Sequence, residues 1–257
     1  MIHLGPLPGS PGWKRGNVNG LKEIVARAIN EAKVYREAGF HGLMIENMHD
    51  RPYLKGAVGP ETVAAMAAAG NEVRTAVPLP LGVQVLAGAN REALAVAFAC
   101  GASFVRVEGY VFAHVADEGV IESDAGLLLR YREQIGASHV KVFADVKKKH
   151  ASHAITADLN VAETASAAEF ALADGVIVTG TSTGHMTEPQ EVEAVAEAVG
   201  IPTLVGSGVT PQNIGQYPRA DGIIIGSSVK RDGFWANEID AKRVEAIAKA
   251  LSALGTK

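Results

Sequence analysis

Five side chains able to move protons or hold charge stand at or just beyond the ends of short apolar runs. Glu46 closes "GLMIE", Arg106 and Glu108 belong to "SFVRVE", Asp145 closes "HVKVFAD", and Lys149 follows it closely. A carboxylate so placed accepts a proton or offers an oxygen to a hard divalent ion, and a cation steadies a developing negative charge. Four more polar groups occupy comparable places: His3 in "MIHL", Asn47 after "GLMIE", Gln84 in "LGVQVL" and Thr179 at the end of "GVIVT". Together they form an inventory for acid/base or metal-assisted chemistry. His3, Glu46 and Asp145 together could hold a hard divalent ion, and residue types alone neither name another cofactor nor exclude one. Arg106 and Glu108 share one face by period-two alternation. They read either as rim chemistry or as a buried pair that satisfies itself, with Lys141 as another partner for Glu108. Lys141, Asp145 and Lys147 share a face of the fifth run and its exit. His150 and His153 read as loop residues, and His185 lies in a glycine-rich loop.

A second signal concerns anions. "GSG" at 206–208 and "GSS" at 226–228 each follow an apolar run. Glycine lets backbone N–H groups approach an anion, and serine adds a hydroxyl donor. Thr210 as N-cap with Pro211 at the first helical position would aim a helix dipole at the same place. Gly206, Ser207, Gly208, Gly226 and Ser227 are therefore the expected phosphate-binding residues, and the expected ligand is a phosphorylated small molecule.

Eight short apolar runs carry these residues: 1–4, 42–46, 81–86, 103–108, 139–145, 175–179, 202–206 and 221–226. Most are continuously apolar, as strands of a parallel sheet covered on both faces are. Helical stripes separate them. Leu21, Ile24, Val25, Ala28, Ile29 and Ala32 form one, closed by Gly39, and Val244, Ile247, Leu251 and Leu254 form the last. Ser123 is the expected N-cap of a helix through Leu127 and Tyr131. The helix after the seventh run is expected to stop early at Tyr217–Pro218. Eight strand–helix units in this length predict a single (β/α)8 barrel domain over residues 1–257. A doubly wound sheet would carry its glycine fingerprint after the first strand. Here the glycine turns follow the last two, where such barrels commonly bind phosphate.

Composition narrows the classes. Apolar residues make up 47% of the 257 and the net charge is −4. Without a basic stripe, nucleic acid is not an expected partner. The one like-charge run is Lys147–Lys149, and the one cysteine, Cys100, excludes an intrachain disulfide framework. No signal-peptide pattern or long apolar run is present, so the expectation is a cytoplasmic protein without an integral membrane segment. The alanine-rich "ETVAAMAAAGNEV" at 61–73 reads as a close-packed interface of a homo-oligomer or as an outer barrel helix.

The chain resembles the BtpA/SgcQ family. The matching pieces are "MIHLGPLPGSP", "GLMIEN", "GVQVLA", "FVRVEG", "FADVKKKHA", "VTGTSTG", "GSGVTPQNI" and "DGIIIGSSVKRDG", in order along nearly the whole chain. The resemblance implies a barrel of the ribulose-phosphate-binding type. It implies two functions. One branch is named for photosystem I accumulation at the membrane periphery. Other members stand beside sugar-utilisation genes, which implies an enzyme; with the rim residues above, the expectation is an enzyme of sugar or nucleoside metabolism, with isomerase, lyase and glycosyl-bond hydrolase all open. Asp145, Lys149, His150 and Ala151 match the family's Asp-Val-x-x-Lys-His-Ala pattern, while Lys147 stands where relatives often have histidine.

Overall fold

The computed structural model describes residues 1–14, 19–180 and 186–254; Thr181 and His185 lie outside the described residues. In chain order the elements are β1 (Ile2–His3), α1 (Gly20–Glu37), β2 (Leu43–Glu46), α2 (Pro60–Ala76), β3 (Leu81–Gln84), α3 (Asn90–Cys100) and β4 (Phe104–Val107). There follow β5 (His114–Ala116), β6 (Gly119–Ile121), α4 (Ala125–Gln134), β7 (Lys141–Val146), β8 (Ala151–Ser152), α5 (Val161–Phe170) and β9 (Gly175–Val178). The chain ends with α6 (Pro189–Ala198), β10 (Thr203–Val205), β11 (Gly222–Ile223) and α7 (Ala241–Ala253).

Eight strands form a parallel sheet in the order β1-β2-β3-β4-β7-β9-β10-β11. These are the eight apolar runs. Every residue of β2, β3 and β9 is buried, as strands covered on both faces must be. The chain packs as two compact units, Met1–Val107 with Gly126–Val142 and Glu108–Ala125 with Phe143–Lys257.

The first unit pairs β1 with β2, β2 with β3 and β3 with β4. Its helix α2 packs on α1 and α3. A Cβ on Gly70 would lie 2.8 Å from the Cys100 sulfur, so the small face of α2 is already filled from inside the chain. The alanine-rich stretch is thus an outer helix whose buried small residues contact α3, and Cys100 is a buried packing residue.

The second unit pairs β7 with β9, β9 with β10 and β10 with β11. One packing device occurs in both units. Gly82 faces Phe104 across β3–β4, and Gly175 faces Phe143 across β7–β9. A Cβ at either glycine would come within 2.1 or 2.3 Å of the facing ring. The glycine leaves room for the phenylalanine to lie flat over the neighbouring strand.

Outside the eight apolar runs, β5, β6 and β8 form a separate antiparallel sheet in the order β6-β5-β8. Three expectations change. The segment after β10 is not an α-helix; turns lead into a single 3-10 turn at Ile214–Gln216. There the Asn213 side chain accepts from the Thr210 N–H and donates to the Gly208 carbonyl, so Asn213 organises a turn where a Thr210 cap was expected. Ser123, the expected cap of α4, donates its hydroxyl to the Tyr110 carbonyl.

Candidate functional site at the strand ends of the second unit

Glu108 leaves β4 into a loop that only glycine can start. Gly109 has φ +61°, and a Cβ there would lie 2.5 Å from Ile121 of β6. Tyr110 is buried and donates its hydroxyl to the Ala171 carbonyl, anchoring the loop. The chain then forms the β5–β6 hairpin, with Val115 opposite Val120. β8 returns after β7 to pair with β5 on its other side. The residues between β7 and β8 are thereby drawn under the hairpin.

A cavity of about 20 Å³ results, room for about one water-sized group. Its lining includes His114, Asp145, Lys147, Lys148, His153 and Thr156. Lys148 is buried and its ammonium donates to Glu108 Oε2 at 2.9 Å. Burial alone would lower the Lys148 pKa, but Glu108, then Glu118 and Asp145, outweigh it and hold the pKa above its ordinary value. His153 Nε2 lies 3.0 Å from the Lys148 carbonyl, and its ring centroid is 5.4 Å from that of His114. Burial, then Lys148 and His153, lower the His114 pKa to about 4 against the opposing pull of Asp145. His114 is therefore neutral at physiological pH. Its Nε2 is buried and has no hydrogen-bond partner among the described residues.

Asp145 is buried next to the end of β7, opposite Ile177 of β9. Lys149 uses its backbone N–H to reach the Thr179 hydroxyl at 3.1 Å. Lys147 donates to the Leu159 carbonyl and has φ +45°, and His150 has φ +54°. Two non-glycine residues in the left-handed region within four positions mark a loop held in shape by its surroundings. Burial, then Lys149, lower the His150 pKa.

The same unit carries the expected anion turns. Gly180 N–H donates to Ser207 Oγ at 2.9 Å, and Gly206 N–H donates to the Val178 carbonyl. Thr187 Oγ1 donates to the Ser207 carbonyl, and Gly208 takes φ +69°. Gly226 precedes the 3-10 turn Ser227–Val229, whose leading N–H groups have no acceptor within the turn itself. A continuous line of hydrogen bonds thus ties the β7 exit to the end of β9 and the turn after β10.

In the first unit, His3 and Glu46 are register partners on β1 and β2, with Nε2 and Oε2 at 3.5 Å. Asn47 donates to Asp50 and the Leu86 carbonyl and accepts from the Leu86 N–H, which ties β2 to the loop after β3. Gln84 ends β3, and Arg106 is buried within β4.

Some sequence expectations move. Lys148 is an ion-pair partner of Glu108 that the sequence reading did not name, and Lys141 is exposed at the start of β7. His153, read as a loop residue, lines the cavity. His114 was missed, although "HVADEGVI" alternates around an Asp-Glu-Gly turn, a hairpin signal. Lys148 was hidden inside the like-charge run Lys147–Lys149. Among the described residues no group of three or more His, Cys, Asp or Glu side chains is placed to hold a metal ion, so the divalent-ion set of His3, Glu46 and Asp145 gains no three-ligand cluster. No helix among the described residues is long and apolar enough to cross a membrane.

The eight-stranded parallel sheet and the seven helices of the described residues form an α/β fold of the TIM-barrel type. Thiamine phosphate pyrophosphorylase from Pyrococcus furiosus matches it with a TM-score of 0.60 at 16% identity, over 89% of this chain and 91% of that one. Phosphoribosyl anthranilate isomerase from Thermus thermophilus matches with a TM-score of 0.56 at 14% identity, over 88% and 94%. The chain belongs to the BtpA family, whose model matches residues 1–253. A Caenorhabditis elegans protein named as mitochondrial is 43% identical over 99% of this chain and 92% of its own length. The photosystem I biogenesis protein BtpA of Synechocystis is 38% identical over 98% of this chain and 86% of its own.

Proposed function

We propose that this protein is an enzyme of sugar or nucleoside metabolism that acts on a phosphorylated small molecule. In this reading the glycine turns at 206–208 and 226–227 hold the phosphate. The proton-transferring groups are Asp145 and Glu108 with Lys148, all of the second unit. Lys149 positions the β7 loop through Thr179. The observation that carries the reading is the buried Asp145 beside a buried Glu108–Lys148 pair at the strand ends. Buried charge is costly, and such a group in a cavity is more often kept for chemistry than for stability. Two structural relatives add support, since both are named for phosphorylated compounds.

A second reading rests on one relative. The Synechocystis protein is named for photosystem I biogenesis, so an assembly factor that retains an anion pocket is the alternative. Catalysis does not follow from the barrel alone.

Asp145→Asn separates the two. It keeps the size of the side chain and removes its charge. Candidate sugar phosphates and nucleotides would first be screened for turnover. With a turned-over substrate, the variant should lose at least about a hundredfold in kcat, the low end for general acid–base catalysis. Its melting temperature should stay near that of the wild type. A variant that melts early but turns over normally per folded molecule would make Asp145 structural and favour the assembly-factor reading.

A further inference from the structure

The cavity under the β5–β6 hairpin contains a polar atom that the protein leaves unanswered. His114 is 5% exposed, lines the cavity, and its Nε2 has no hydrogen-bond partner among the described residues. An unpaired buried polar atom destabilises the folded state. A group that completes it on binding recovers that cost.

The lining says which group fits. The volume, about 20 Å³, takes one small group and no ring. An anion would face Asp145 beside the Glu108 carboxylate, and a cation would face the Lys148 ammonium. A methyl group would leave Nε2 unpaired. A hydroxyl both donates and accepts. It can accept from Lys148, donate to Asp145 and meet a neutral imidazole in either tautomer.

We infer that this cavity is a subsite for a single alcohol hydroxyl of a polyhydroxylated ligand, and that His114 Nε2 is the hydrogen-bonding atom that selects it. The inference rests on the proposed function for the ligand class, a sugar, but the hydroxyl contact needs no phosphate.

The test uses full-length protein carrying ¹⁵N-labelled histidine. D-ribose, D-glucose, ribose 5-phosphate and glucose 6-phosphate are titrated in turn, and the His114 side-chain nitrogens are followed by NMR. At least one sugar should move the His114 Nε2 signal along a saturating curve. His114→Leu should weaken that sugar's binding at least tenfold. Its melting temperature should be unchanged or higher, because an apolar side chain removes the unpaired atom. His114→Gln retains a side-chain amide and should hold affinity within about threefold, since one neutral hydrogen bond replaces another.

A silent His114 in all four titrations overturns the subsite and leaves the cavity to a resident water. So does His114→Leu that binds the active sugar as tightly as wild type. If a phosphosugar binds while His114 stays silent, the subsite falls and the phosphate reading stands. If a free sugar moves His114 and its phosphate adds no affinity, the subsite stands and the phosphate reading falls.

Discussion

Lys148 and Glu108 show why a charged pair can be buried here. Each is less than a tenth exposed, and the pair closes at 2.9 Å. Lys148→Met would take the ammonium away from the buried Glu108 carboxylate. The expected loss is about 3–5 kcal/mol of unfolding free energy in denaturant melts. Adding Glu108→Gln should recover more than half of it, and failure to recover would mean that the pair does not act as a unit. His114 gives a pH signature of its own. Its folded pKa is about 4, held down by burial and then by Lys148 and His153. The unfolded value is about 6.5. Between the two, the unfolded chain binds a proton that the folded chain refuses. Stability is therefore full above pH 6.5 and falls as pH drops toward 4, by up to about 3 kcal/mol. Melts at pH 7, 5.5 and 4.5 would show the slope. His114→Leu should remove that part of it, and an unchanged slope would assign it to other groups.

The β5–β6 hairpin makes the cavity, and one glycine makes the hairpin possible. Gly109→Ala must hold φ +61° and place its methyl 2.5 Å from Ile121 Cγ2. The left-handed conformation costs about 1–2 kcal/mol and the overpacking about 1–3. A melting-temperature drop of roughly 4–10 °C follows for a chain of this size. Amide exchange should quicken at Val115 and Val120 before it does in β9. Loss spread evenly over the second unit would show that the hairpin is no separate element. Helix α2 carries a different lesson. Its buried alanines and Gly70 already contact α3 inside the chain. A homo-oligomer built on α2 would have to use its exposed residues, such as Ala64 and Ala68.

At the scale of the whole molecule, the C-terminal strand ends of the second unit carry the proposed site. Phosphate, sulfate or a sugar phosphate should raise the melting temperature by binding at the two turns. Gly208→Asp adds a negative charge at a position with φ +69°. It should weaken that binding at least tenfold, about 1.4 kcal/mol. Equal thermal shifts in variant and wild type would move the anion elsewhere. The absence of a long apolar helix among the described residues leaves peripheral membrane association compatible with either functional reading.

Strand number, parallel pairing and barrel class were legible from residue order alone. Runs such as "GVIV" at 175–178 are apolar throughout, the pattern of a strand covered on both faces. The placing of Glu46 and Asp145 at strand ends followed from the same count. Local pattern also misled in one place: Thr210–Pro211 has the chemistry of a helix start, yet Asn213 captures the backbone and makes a turn. The cavity was decided by tertiary structure. Lys148 meets Glu108 across 40 residues, and β8 joins β5 from beyond β7. Such contacts depend on where separate loops end in space, which no periodicity encodes. Even the meaning of "KKK" at 147–149 was settled there, because the fold sends the three lysines to three different partners: Leu159, Glu108 and, through its backbone, Thr179.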